Sequence, residues 1–134
     1  MQLTLIIILS LHVLAAVFWA GTSFTLARTG GAGGEQLFRP QMGAAVVAVL
    51  TGGYLWSRLH GGVFEAPEQV LAIGVVCAFV AAGVQGAIVG SAIRKLPKGG
   101  IGDSMVRSRI ALAQRIAAGL LAVTIVCMAA ARYV

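Results

Sequence analysis

Residues 3–27 read LTLIIILSLHVLAAVFWAGTSFTLA, and no Lys, Arg, Asp or Glu interrupts them. About 25 uncharged, mostly apolar residues cross the hydrocarbon core of a bilayer as one helix, at about 1.5 Å of rise per residue. Within that stretch His12 is the exception. An imidazole at membrane depth needs a partner or a ligand, so an ionisable group there is first read as functional. At helical spacing His12 shares a face with Ala16, Trp19 and Ser23, and that face is expected to point into protein. The segment has no basic n-region and is too long for a signal-peptide core. It also offers Phe18-Trp19-Ala20 where small residues would be needed for cleavage, so it is read as a retained transmembrane helix.

The remaining composition fits that reading. The chain has 134 residues, 59% of them hydrophobic and only 10% charged, too few for the polar surface of a soluble domain. A formal charge of +6 would suggest nucleic acid in a soluble protein. Here the basic residues stand between apolar runs, where they signal topology, and no nucleic-acid partner is expected. Cys77 and Cys127 lie inside apolar segments without CxxC spacing, which gives neither a disulfide framework nor a zinc signature.

Three further spans follow, at roughly 41–60, 68–93 and 110–131. Pro40 suits the start of the second and Pro67 opens the third, while His60-Gly61-Gly62 ends the second. The connections are too short for another domain. The chain therefore reads as one all-α membrane domain, a four-helix bundle running up-down-up-down. The glycine clusters at 30–34 and 98–102 lack the Lys-Ser/Thr and the strand-to-helix context of phosphate-binding loops, so they read as turns.

Arg28, Arg39, Arg94, Lys95, Lys98, Arg107 and Arg109 fall in the first and third loops, against Arg58 and Arg132 at the other side. The excess of positive charge stays cytoplasmic, so both termini are expected outside a bacterial inner membrane. His12 then lies in the outer half of the bundle, about 13 Å below the surface. Thr51 and Cys77 come to nearly the same level, with Tyr54 and Thr124 about one turn shallower. His60 sits at the boundary, about 13 Å too high to share one metal ion with His12. A porphyrin standing along the bundle with His12 as axial ligand would bring its propionates to Arg58, His60 or Arg132. The site expected from the sequence is therefore His12, Trp19, Tyr54, Arg58 and His60 for a haem b, or His12 with Cys77 for copper.

A second polar layer is expected nearer the cytoplasm, from Gln85 on the third span and Gln114 and Arg115 on the fourth, with Thr22 and Ser23 of the first span nearby. Arg115 has a competing reading, in which it snorkels to the interface. Gly74, Ala78, Ala82, Gly86 and Gly90 form a small-residue series at four-residue spacing. Such a stripe lets helices approach closely, so the third span is expected at the centre of the bundle or along the seam of a homo-oligomer.

The run His12-Val13-Leu14-Ala15-Ala16-Val17-Phe18-Trp19-Ala20-Gly21 resembles the first-helix motif of CopD-like copper-resistance membrane proteins. Arg28 is placed similarly to an arginine of the HemJ-type protoporphyrinogen oxidases. The resemblance rests on His12, Trp19, Gly21 and Arg28. It implies a helical membrane domain, with copper transport in one family and a b-type haem on the first-helix histidine in the other. The chain departs from those families in having no second histidine soon after Arg28 and no Met-rich or His-rich outer loop.

Three functions are weighed: a haem-binding or redox protein, a copper or small-solute transporter, and an accessory subunit in which His12 donates across the bundle. Proton-coupled multidrug transport needs a carboxylate within a span, and disulfide generation needs paired outer cysteines. Neither pattern is present in the sequence.

Overall fold

The computed structural model describes residues 1–62, 64–95 and 103–134, apart from the side chains of Glu35, Lys95 and Asp103. Lys98 and the glycine cluster at 98–102 lie outside the described residues. The elements are α1 (Gln2–Arg28), α2 (Gly34–Leu59), α3 (Ala66–Val84), one π-helical turn (Gln85–Val89), α4 (Gly90–Lys95) and α5 (Asp103–Ala130). The stretch from α3 through α4 is one continuous rod. The chain thus forms four rods, each long and apolar enough to span a bilayer, and no strand occurs among the described residues. This is an all-α four-helix bundle of an integral membrane protein.

α1 tolerates the hydroxyls of Ser10, Thr22, Ser23 and Thr25 because each bonds back along the helix. Ser10 donates to the Ile6 carbonyl at 2.8 Å and Thr25 to that of Gly21 at 2.9 Å, so exposed polar groups are satisfied without water. The helix ends where Gly30, Gly31 and Gly33 take positive φ, a backbone state that glycine adopts without strain. At Gly31 a Cβ would stand 3.0 Å from the Arg107 carbonyl oxygen and 3.2 Å from Ile110 Cγ2. Glycine therefore lets this turn close onto α5. α3 opens with Pro67 in its first turn, and the Glu65 backbone N–H donates to Glu68 Oε2 at 3.0 Å, satisfying a donor that the helix start leaves open.

Two expected helix starts move. α2 begins at Gly34 rather than 41, with Pro40 inside it. The carbonyl that Pro40 leaves without a donor belongs to Gln36, which is exposed, so water or headgroups can replace the missing bond. α5 begins at Asp103 rather than 110, carrying Arg107 and Arg109 on a helical extension. Charge excludes those turns from hydrocarbon but does not break the helix.

Consecutive rods run antiparallel. Gln41, early in α2, bonds Ser23, late in α1, while Arg58 at the far end of α2 meets Met1. Gln114, early in α5, bonds Gln85, and Thr124, late in α5, bonds the carbonyl of Gly74 near the start of α3. The up-down-up-down order follows. α1 packs on α2 and α5, and α5 packs on α1 and α3. In the span window of α5 44% of residues are buried, against 22% for the α3–α4 rod, so α5 is the central helix, not the third span as expected. The small-residue stripe is partly consumed within the chain. A Cβ at Gly74 would meet Cys127 Cβ at 3.1 Å, and one at Gly90 would meet the Phe38 ring at 3.3 Å, whereas Gly86 has nothing within 4 Å. Its two ends are therefore closed to a second copy. Outside, Leu14, Val17, Leu50, Val76, Phe79 and Val126 stand exposed, a surface matched by lipid.

Candidate functional site

The site is built where α1 crosses α2. Ala48 and Gly52 present almost no side chain, so the His12 ring of α1 lies directly on the α2 backbone: a Cβ at Gly52 would stand 3.0 Å from His12 Cε1. His12 Nδ1 is 2.9 Å from the Ala48 carbonyl oxygen and 3.0 Å from Thr51 Oγ1. A backbone carbonyl only accepts, which assigns the proton to Nδ1. Thr51 accepts as well, because its own hydroxyl can donate to the Val47 carbonyl at 2.6 Å. In a neutral imidazole the lone pair is then on Nε2, the arrangement in which a backbone-oriented histidine serves as a ligand. Nε2 has no hydrogen-bond partner among the described residues, and no wholly buried side-chain nitrogen or oxygen among them lacks one. Nε2 therefore retains an accessible surface.

Above His12 the same seam continues toward the start of α1. Thr51, Tyr54 and Arg58 follow one another along one face of α2. The Arg58 Nε–H donates to the Tyr54 hydroxyl at 3.3 Å, and its guanidinium carbon sits 5.5 Å from the Tyr54 ring centroid. Arg58 also approaches Met1 Sδ at 4.0 Å. Seven residues of helix place Arg58 about 10 Å above Thr51.

Other expected site residues are placed elsewhere. His60 is engaged by α3, with Nδ1 2.7 Å from Glu68 Oε1 and its ring centroid 5.7 Å from that of Trp56. Cys77 is half-buried on α3, a rod that shares no extensive packing with α1, so nothing brings its thiol to His12. No group of three or more His, Cys, Asp or Glu suited to a metal ion occurs among the described residues. Trp19 also leaves the set. Its ring is 2% exposed and belongs to the inner polar layer.

That layer forms around the expected Gln85, Gln114 and Ser23, with Trp19 and Gln41 added to it. The Trp19 indole N–H donates to Gln85 Oε1 at 2.6 Å, and the Gln85 amide donates to Ser23 Oγ at 2.7 Å and to Gln114 Oε1 at 2.9 Å. Gln114 in turn donates to Gln41 Oε1 at 3.1 Å, and the Gln41 amide reaches Ser23 at 3.1 Å. Ser23, Gln41, Gln85 and Gln114 are each 0% exposed, and the network joins all four rods. The π turn begins at Gln85 itself, which sets the amide into the centre of the layer. Arg115 is not part of it. Arg115 is exposed, its Nε 3.5 Å from the Ala27 carbonyl at the end of α1, as the snorkelling alternative required.

Gln41 was missed because it falls on the expected boundary of the second span. The available signal was its spacing: Gln41, Ala45, Ala48 and Gly52 lie on one helical face, the face that α2 buries. A buried network in which every side-chain nitrogen and oxygen has a partner ties the four rods together.

The chain matches no family model, no curated protein and no solved structure, so the resemblance to CopD-like and HemJ-like proteins stays an expectation carried by His12, Trp19, Gly21 and Arg28.

Proposed function

We propose that this integral membrane protein holds a metal centre, a haem b, through His12 Nε2 on the α1–α2 seam, and that its activity is electron transfer or support of a redox partner. The observation that carries the reading is the orientation of His12. Its Nδ1–H is held by the Ala48 carbonyl, which leaves Nε2 as the ligand atom. The donor chemistry fits an axial imidazole, and a haem b bound there supplies one-electron chemistry at a potential tuned by its low-polarity surroundings. Arg58, backed by Tyr54, is the group that would take a propionate. His60 is not, being engaged by Glu68. The excess of Lys and Arg in the first and third loops supports an orientation with both termini, and with them the His12 half of the bundle, outside a bacterial inner membrane.

Copper or solute passage through a His12–Cys77 vestibule is less well supported, because the two residues stand on rods without extensive packing between them. The accessory-subunit reading keeps one specific observation in its favour: the same Ala48 and Thr51 bonds tie α1 to α2 whether or not a ligand binds. An absorption spectrum with metal analysis separates the readings. Wild-type protein purified after haem supplementation is expected to show a Soret band that His12→Ala lacks. No band in either, with the fold intact, favours the accessory role.

A further inference from the structure

At the opposite end of the bundle from the His12 seam, the α1–α2 turn and one face of α5 enclose an open cleft of about 450 Å³. Its rim is polar and basic, formed by Gly30, Ser104, Arg107, Ser108 and Arg115, and its floor continues onto Leu112. Arg115 begins inside the span, but its guanidinium is drawn to the Ala27 carbonyl at the end of α1, which brings the charge to the level of the rim. The Arg115 guanidinium and the hydroxyls of Ser104 and Ser108 around one opening are donors suited to a phosphate group.

The cleft also has a direction. From Leu112 an exposed apolar track runs down α5 through Ile116, Gly119 and Val123, four residues on one face that no other rod covers. A free phosphate would use only the rim. A phospholipid would use both parts, phosphate at the rim and acyl chain along the track, and basic pockets at helix ends hold anionic headgroups by the same electrostatics. We propose that this cleft is a binding site for an anionic glycerophospholipid, with Arg115 and Ser108 as the phosphate contacts and α5 as the acyl-chain track. The occupant is set by charge complementarity with the rim and by the apolar continuation below it. The proposal is independent of what His12 binds.

The test titrates the full chain, in uncharged detergent, with dioleoyl phosphatidylglycerol, dioleoyl phosphatidylcholine or inorganic phosphate, and reads retained adducts by native mass spectrometry. The anionic lipid is expected to be retained in preference to the zwitterionic one. Arg115→Gln should weaken that preference about five-fold, the effect of one basic residue at a charged surface. Ser108→Asp should abolish it, and Arg132→Gln, at the far end of the chain, should leave it unchanged. Circular dichroism melting confirms that each variant is folded, and Ser108→Asp serves if Arg115→Gln is not. Equal retention of the two lipids, or equal loss in Arg132→Gln and Arg115→Gln, overturns the site. Displacement of the lipid by millimolar inorganic phosphate overturns the lipid as its occupant.

Discussion

His12 Nδ1 lies 2.9 Å from the carbonyl oxygen of Ala48, so a backbone acceptor on α2 determines which nitrogen of an α1 imidazole carries the proton. Nitrogen NMR of protein labelled at its two histidines is expected to show the His12 ring protonated at Nδ1 and bare at Nε2. His60, also held through Nδ1, is assigned by its loss in His60→Ala. A His12 ring protonated mainly at Nε2 would remove the ligand atom from the account.

Gly52 sets how closely the ring can approach. A Cβ there would stand 3.0 Å from His12 Cε1, whereas Gly53 has nothing within 4 Å. Gly52→Val is expected to push the imidazole off α2, cost about 1–3 kcal/mol by overpacking, and blur the Nδ1–H signature. Gly53→Val should leave that signature in place. Unfolding in mixed micelles, read beside the NMR spectrum, checks both.

The inner layer predicts a coupled pair. Gln85→Leu orphans the buried Trp19 indole N–H and removes a partner from Gln114, at an expected cost of about 1–3 kcal/mol. Trp19→Phe in that background should cost less than it does alone. The coupling expected for a hydrogen bond between membrane helices is about 0.6 kcal/mol, reaching about 1.7. A double-mutant cycle giving strict additivity would mean that the 2.6 Å contact contributes nothing.

The sequence made the four rods legible because span length and the absence of charge are written directly in it, as in residues 3–27. The inward face of α1 was legible too: His12, Trp19 and Ser23 share it by simple periodicity, and the level match of His12 with Thr51 followed from counting rise. Helix order within the bundle was not. Small residues mark close approach without naming the neighbour, so the stripe from Gly74 to Gly90 suggested a central third span when α5 holds that place. Gln41 was hidden by a boundary drawn at Pro40, and the π turn at Gln85 has no signature in an Ala-, Val- and Gly-rich run. His60 reads from the sequence as a propionate partner because Glu68, which engages it, lies across a turn, within the opening of the next helix.

The His60–Glu68 contact, 2.7 Å long with the two side chains 28% and 10% exposed, fastens the α2–α3 turn. Such partly exposed pairs contribute little to global stability. His60→Ala is expected to leave global stability nearly unchanged while speeding amide exchange at Gly61 and Gly62. It should leave the haem spectrum unchanged, and loss of the Soret band would return His60 to the ligand set.

The most direct measurement of the central claim is imidazole rescue of His12→Gly in the purified, haem-titrated protein. The account predicts a Soret band in the wild type, none in His12→Gly, and its return when free imidazole occupies the vacated space against Gly52 and supplies the missing nitrogen. Identical haem titrations for wild type and His12→Gly, with or without imidazole, would contradict it.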